Sequence, residues 1–145
     1  MKESQNFSNH AQIVPIYHYG LFSIVLTINA LAFIHLFHSI KANDNIEVST
    51  MLVLIGLFLL ISLFIYRGFA LKSQDRAIRA EENLRYFVLT GKLLSKNLAI
   101  SQIIALRFAS DNEFVHLADR AEKELLTNKQ IKQAIQDWKA DYYRV

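Results

Sequence analysis

The sequence predicts an all-α membrane protein: an antiparallel two-helix transmembrane hairpin whose long second helix extends into the cytosol and carries a small C-terminal helical module. Three observations predict it. No Asp, Glu, Lys or Arg occurs from Ser4 to Ile40 or from Val48 to Tyr66, and each window can cross a hydrocarbon core of ~30 Å at ~1.5 Å per residue. The segment between them, KANDNIEVS, is short and polar. From Ser73 onward apolar residues recur at helical spacing among charged ones. The chain is 52% hydrophobic over 145 residues, above the about 45–50% of ordinary soluble domains.

Residues 1–18 read as an amino-terminal arm, polar with interleaved Phe7, Ile13, Val14 and Tyr17, which suits an amphipathic segment lying in a membrane interface. Pro15 has no amide hydrogen and pushes Val14 out of helical conformation, so it marks the start of the first span. Tyr17, His18 and Tyr19 then fall at headgroup depth, where rings with a polar end are favoured. The hairpin occupies residues 19–71, with spans at about 19–40 and 49–71. A cleaved signal peptide fits poorly, because some twenty mostly polar residues precede the first apolar window and IHLFHSIK after it has no small-residue cleavage pattern. Asn43, Asp44 and Asn45 are the turn formers of the connection. Each span satisfies its own backbone as a helix, since lipid offers no hydrogen-bond partner.

Orientation follows from the flanks. Between Arg67 and Lys96 stand seven basic residues and three acids, while the connection holds Lys41 against Asp44 and Glu47. The positive-inside rule puts both termini in the cytoplasm. The basic run also suits anionic lipid headgroups, at about 1 kcal/mol per Lys or Arg. From Asn97 to Val145 seven basic residues balance seven acids, so nucleic-acid binding is not expected.

Residues 72–145 form the cytoplasmic helical region. Ala77, Ala80, Leu84, Phe87 and Leu94 mark one apolar face, with Arg76, Arg79, Glu82 and Arg85 elsewhere on the surface. No Gly or Pro lies between Gly68 and Gly91, so the second span continues as one helix until Gly91 or SKN at residues 95–97 ends it. Ser110 with Glu113, and Thr127 with Gln130, read as two capping boxes. Three helices result, at about Ile100–Ala109, Asp111–Leu126 and Asn128–Lys139. Their core positions are Ile103, Ile104, Leu106 and Phe108, then Phe114, Leu117, Ala118, Ala121 and Leu125, then Ile131, Ala134, Ile135 and Trp138. So few residues make a marginal core alone, so the module needs the long helix, the membrane face or a second copy beside it.

The stretch SQIIALRFASDNEF, Ser101 to Phe114, looks most like a motif. Its polar residues all have structural roles: Ser110 caps a helix, Asp111 and Glu113 fill its first turn, and Arg107 ends the preceding one. The functional alternative has Arg107 binding an anionic ligand or docking Asp111 of a neighbour. His35 and His38 share a helical face, but the second span offers no His, Asp or Glu to complete a metal site. A redox subunit built on His18, His35 or His38 would need a second copy. Asn29, with Thr27, Ser62 and Gly56, is the most polar part of the spans, and helix packing accounts for it better than transport. Trp138, Tyr142 and Tyr143 either close the helical core, rest on the membrane interface or dock a partner. There is no cysteine, which excludes disulfides, thiolate metal sites and a cysteine nucleophile. No nucleophile elbow, phosphate loop or zinc-binding helix occurs, so neither enzymatic activity nor a cofactor or metal is expected.

In QNFSNHAQIVPIYH (Gln5 to His18), QIIALRFASDNEF (Gln102 to Phe114) and the ending IKQAIQDWKADYYRV, the chain resembles a family of small, uncharacterised bacterial membrane proteins, a domain of unknown function. The resemblance implies a bacterial inner-membrane location and this two-span architecture, and it brings no activity or ligand. The expected role is a non-enzymatic membrane-anchored scaffold or interaction module, joined to a homo-oligomer or an unidentified protein partner. The alternative is a subunit of a small homo-oligomeric transporter or channel. Asn29, His18, Arg107, Asp111 and Trp138 are the candidate interaction residues.

Overall fold

A computed structural model describes residues 4–143. Those residues form five α-helices and no strand: α1 Phe22–Ala42, α2 Ile46–Thr90, α3 Ile100–Leu106, α4 Asp111–Lys123 and α5 Asn128–Ala134. A π-helical segment, Ile16–Leu21, leads directly into α1 with Pro15 at its amino-terminal cap, so the helix begins where Pro15 was expected to start it, three residues ahead of the bound expected at about Tyr19. The chain divides into two compact units. One is Ile13–Ala70; the other combines Met1–Gln12 with Leu71–Val145.

In the first unit α1 turns Val25, Asn29, Ala32 and Ser39 inward, and α2 turns Ser49, Val53 and Gly56 inward. Leu36 and Leu60 are half-buried in the gaps of this 4-3 alternation, the spacing by which a helix returns residues to one face. The small members allow close backbone approach. Tyr17 donates to the Leu63 carbonyl at 3.0 Å, Asn29 to the Gly56 carbonyl at 3.0 Å, and the Ser39 and Ser49 hydroxyls lie 2.6 Å apart. Asn43 and Asn45 both take left-handed conformations, with φ of 54° and 53°, which asparagine tolerates better than most residues. The remaining faces are apolar and outward: Ile24, Phe33, Phe37, Leu54, Phe58 and Phe64 are each more than half exposed.

In the second unit α2 ends where foreseen, at Gly91, whose φ of +73° suits a residue without Cβ. The core is Leu94, Leu98, Ile103, Leu106, Phe108, Phe114, Leu117, Ala121, Leu126, Ile131 and Ile135. Three expectations need correction. The last three helices are shorter than expected, and α5 is cut most: Ile135 turns extended and Trp138 pairs with Ala109 in an antiparallel bridge. Lys139 donates to the Phe108 carbonyl at 2.7 Å and Ser110 to the Asp137 carbonyl at 3.0 Å, so the tail satisfies backbone groups that a longer α5 would have left open. Second, Leu125 is not core: it is 81% exposed and left-handed at φ 51°, closing α4 with the Leu126 amide on the Ala121 carbonyl at 3.1 Å. Third, of the apolar face Ala77, Ala80, Leu84, Phe87 and Leu94 only Leu94, beyond the end of α2, is buried; the other four point outward, and α2 packs on the unit through Ile78, Glu82, Arg85 and Tyr86.

Candidate functional site

The charged groups of the second unit gather where α2 meets the α3–α4 joint. Arg85 is the hub. Its Nε donates to Asp111 at 2.6 Å, Nη1 to Glu82 at 3.0 Å and Nη2 to the Ala109 carbonyl at 2.7 Å. Its guanidinium lies 4.2 Å over the Phe114 ring. The planar fork of arginine suits this, because three acceptors and a ring face are met by one rigid group. Burial pushes the Glu82 carboxyl above the usual carboxylate range, against the hydrogen bond and charge of Arg85. One turn on, Tyr86 donates to Asp119 at 3.1 Å, and burial followed by that carboxylate raises its phenol.

The α3–α4 joint holds Arg107 and Asp111 but gives them different partners. Arg107, at the end of α3, is 7% exposed and faces Asp141 at 3.3 Å, with its guanidinium 4.7 Å over Phe108. Asp111 belongs to Arg85 of the same chain. The capping box expected at Ser110 does not form. Glu113 accepts from the Gln136 and Asp137 amides, both at 3.1 Å, which takes it away from Ser110, whose hydroxyl is buried without a partner among the described residues. The box at Thr127 does form: Gln130 accepts from the Thr127 amide at 2.8 Å, and the Thr127 hydroxyl accepts from the Gln130 amide at 3.3 Å.

Trp138 stacks 5.3 Å from Phe108 and 5.7 Å from His10, and His10 Nε2 lies 3.0 Å from the Lys132 ammonium. Gln5 donates to the Asp141 carbonyl at 3.2 Å and accepts from its amide at 2.8 Å. The arm and the tail therefore lie together. Sequence reasoning had no signal for this pairing, since 136 residues separate Gln5 from Asp141.

In the first unit the Asn29 carboxamide donates to Val25 at 2.8 Å and to Gly56 at 3.0 Å, while its oxygen is buried with no partner among the described residues. His18 accepts from the Val14 amide at 3.1 Å and meets Tyr17 edge-on. His35 reaches Ser49 at 2.8 Å, and Ser49 in turn donates to the Asn45 carbonyl at 2.9 Å. That hydroxyl is spent on the backbone of its own helix. His38 has Phe37 beside it at 6.0 Å.

A cavity of about 130 Å³ opens between Tyr86, Leu94, Leu98, Ala118, Asp119 and Glu122. Ligand pockets usually enclose about 300–1,000 Å³, and this one is small by that measure. Its carboxylate Glu122 accepts from Ser95 at 2.6 Å and Asn97 at 2.8 Å, bonds that lower it.

Fold and side chains together define a helical protein with two helices long and apolar enough to cross a membrane and a charge-locked helical unit. The chain belongs to a family of unknown function, DUF6526, whose model matches residues 1–145. No curated protein and no solved structure is significantly similar to it.

Proposed function

We propose that the chain is a non-enzymatic, membrane-anchored interaction module of a bacterial inner membrane. α1 and the first half of α2 cross the bilayer as a two-span hairpin with both termini cytoplasmic, and the helical unit engages other proteins. One observation carries this reading: only 17% of each apolar window is buried inside the protein. The core helix of a soluble protein would be mostly buried. Leaving such side chains in water forfeits about 1.5–3 kcal/mol each, and an apolar surface this continuous calls for lipid or protein against it. A cleaved leader would not account for the second helix, nor for the bond that ties Asn29 to Gly56.

The non-enzymatic part of this reading is supported by how the second unit spends its charges, on mutual ties around Arg85 and Arg107. A transporter or channel would need Asn29 beside a water path, and its burial against Gly56 favours packing instead.

The chain has no cysteine, so single cysteines report topology cleanly. Asp44→Cys should react with an impermeant maleimide in intact spheroplasts, and Lys123→Cys only after permeabilisation, with both proteins retained in the membrane after alkaline carbonate. Release by carbonate, or labelling of Lys123→Cys from outside, would overturn the proposal.

A further inference from the structure

We infer that the outward stripe of α2 in the second unit is a parallel dimerisation seam for a second copy of this chain. Ala77, Ala80, Leu84 and Phe87 follow one another at steps of three, four and three residues, and all are exposed, Leu84 at 64% and Phe87 at 49%. Those are the a and d positions of a two-stranded coiled coil, with Val88, 75% exposed, beside them at e. The fold of one chain does not need this stripe. Its own packing uses Ile78, Glu82, Arg85 and Tyr86, which occupy a different face of the same helix.

Charge identifies the occupant. With Ala77 at a and Ala80 at d, Arg76 falls at g and Glu81 at e. In a parallel pair a g residue meets the e residue five positions further along the other helix, so Arg76 faces Glu81 of the second copy, and symmetry repeats the pair. Both residues are exposed and neither joins an ion pair among the described residues. An antiparallel alignment that pairs Ala77 with Phe87 and Ala80 with Leu84 sets Glu81 against Glu81 of the second copy and Arg76 beside Thr90, a like-charge contact with no opposite charges matched. A seam this short is weak between chains free in solution. The inference rests on the membrane reading for one thing only: a bilayer holds copies in the same orientation at high effective concentration.

Single cysteines in native membranes test it. Ala80→Cys, Leu84→Cys and Phe87→Cys should each cross-link to themselves under mild oxidation, whereas exposed Arg79→Cys should not. Arg76→Glu and Glu81→Arg, each combined with Leu84→Cys, should lose most of the cross-linked dimer when expressed alone. Co-expressed, they should recover it, because the mixed pair restores both contacts. Equal cross-linking at Arg79→Cys, no dimer at any seam position, or capture of a different protein in place of a second copy overturns the inference. Carbonate extraction of the same samples separates the two readings. Retention without cross-links sinks the seam alone, and release with the cross-link pattern intact sinks the membrane reading and leaves the seam standing.

Discussion

A single carboxamide shows how a residue's chemistry is legible in sequence while its partner is not. Asn29 stands out as the polar residue in a long apolar window, and burial against the other helix follows from the cost of an unpaired amide in lipid. The position it meets could not be read, because Gly56 reaches it with a backbone carbonyl and an absent side chain. A Cβ at Gly56 would sit 3.0 Å from the Asn29 oxygen and 3.2 Å from its carboxamide carbon. Gly56→Ala should therefore weaken the pairing, and Asn29→Ala should cost about 0.5–2 kcal/mol, the range of such bonds between membrane helices. Because the two substitutions share one contact, the double variant should fall short of their sum. Denaturation of the purified protein in mixed micelles by SDS reads all three, and full additivity would mean that the contact contributes nothing. Glu82 and Arg85 illustrate the opposite failure. Charged residues on a helix are read as surface, yet here the Glu82 carboxylate is buried and bonded to an arginine three residues on that is itself mostly covered.

Elements were legible where local chemistry decides them. The continuity of α2, its stop at Gly91 and the capping box before α5 all follow from Gly, Ser/Thr and Gln at fixed offsets. Element lengths were not legible, because IKQAIQDWK keeps helical apolar spacing and nothing local says that Ile135 turns extended. The competing demand is distant: the backbone at Phe108 and Ser110 needs partners, and the tail supplies them. Ser110 and Glu113 misled for the same reason, since the tail's amides took the carboxylate. Helix α4 carries a local conflict of another kind. Leu125 closes it in a left-handed conformation that costs a residue with Cβ about 1–2 kcal/mol, while glycine adopts it freely. Its side chain is 81% exposed and has little packing to lose. Leu125→Gly should raise the melting temperature of the second unit by several degrees, since ~1 kcal/mol corresponds to roughly 4–8 °C in a unit of this size. A lower melting temperature by circular dichroism would mean that Leu125 contributes contacts outweighing its strain.

At the scale of the molecule, the hydropathy pattern makes the two apolar helices plain, since lipid-length windows need no partner to be recognised. The composition of the second unit is hidden for the converse reason: it is stitched from both ends of the chain, and no local pattern links ends so far apart. Gln5 clasps the Asp141 backbone with two hydrogen bonds, and His10 sits against Phe108 and Trp138. Asp141 is also the carboxylate facing buried Arg107. An arm holding the tail thus acts on a charge that the core has taken out of water, and a buried guanidinium that loses its counterion is strongly disfavoured. Removal of residues 1–12 should accordingly destabilise a segment more than a hundred residues away. Amide exchange at residues 138–141 should quicken by an order of magnitude or more, while amides of α4 change less because the core beneath them stays packed. Gln5→Ala should reproduce part of the effect at Asp141, whose amide loses its acceptor. Unchanged tail exchange in the deletion variant would mean that Trp138 and the Ala109 bridge hold the tail unaided, and the arm would then be free for another surface.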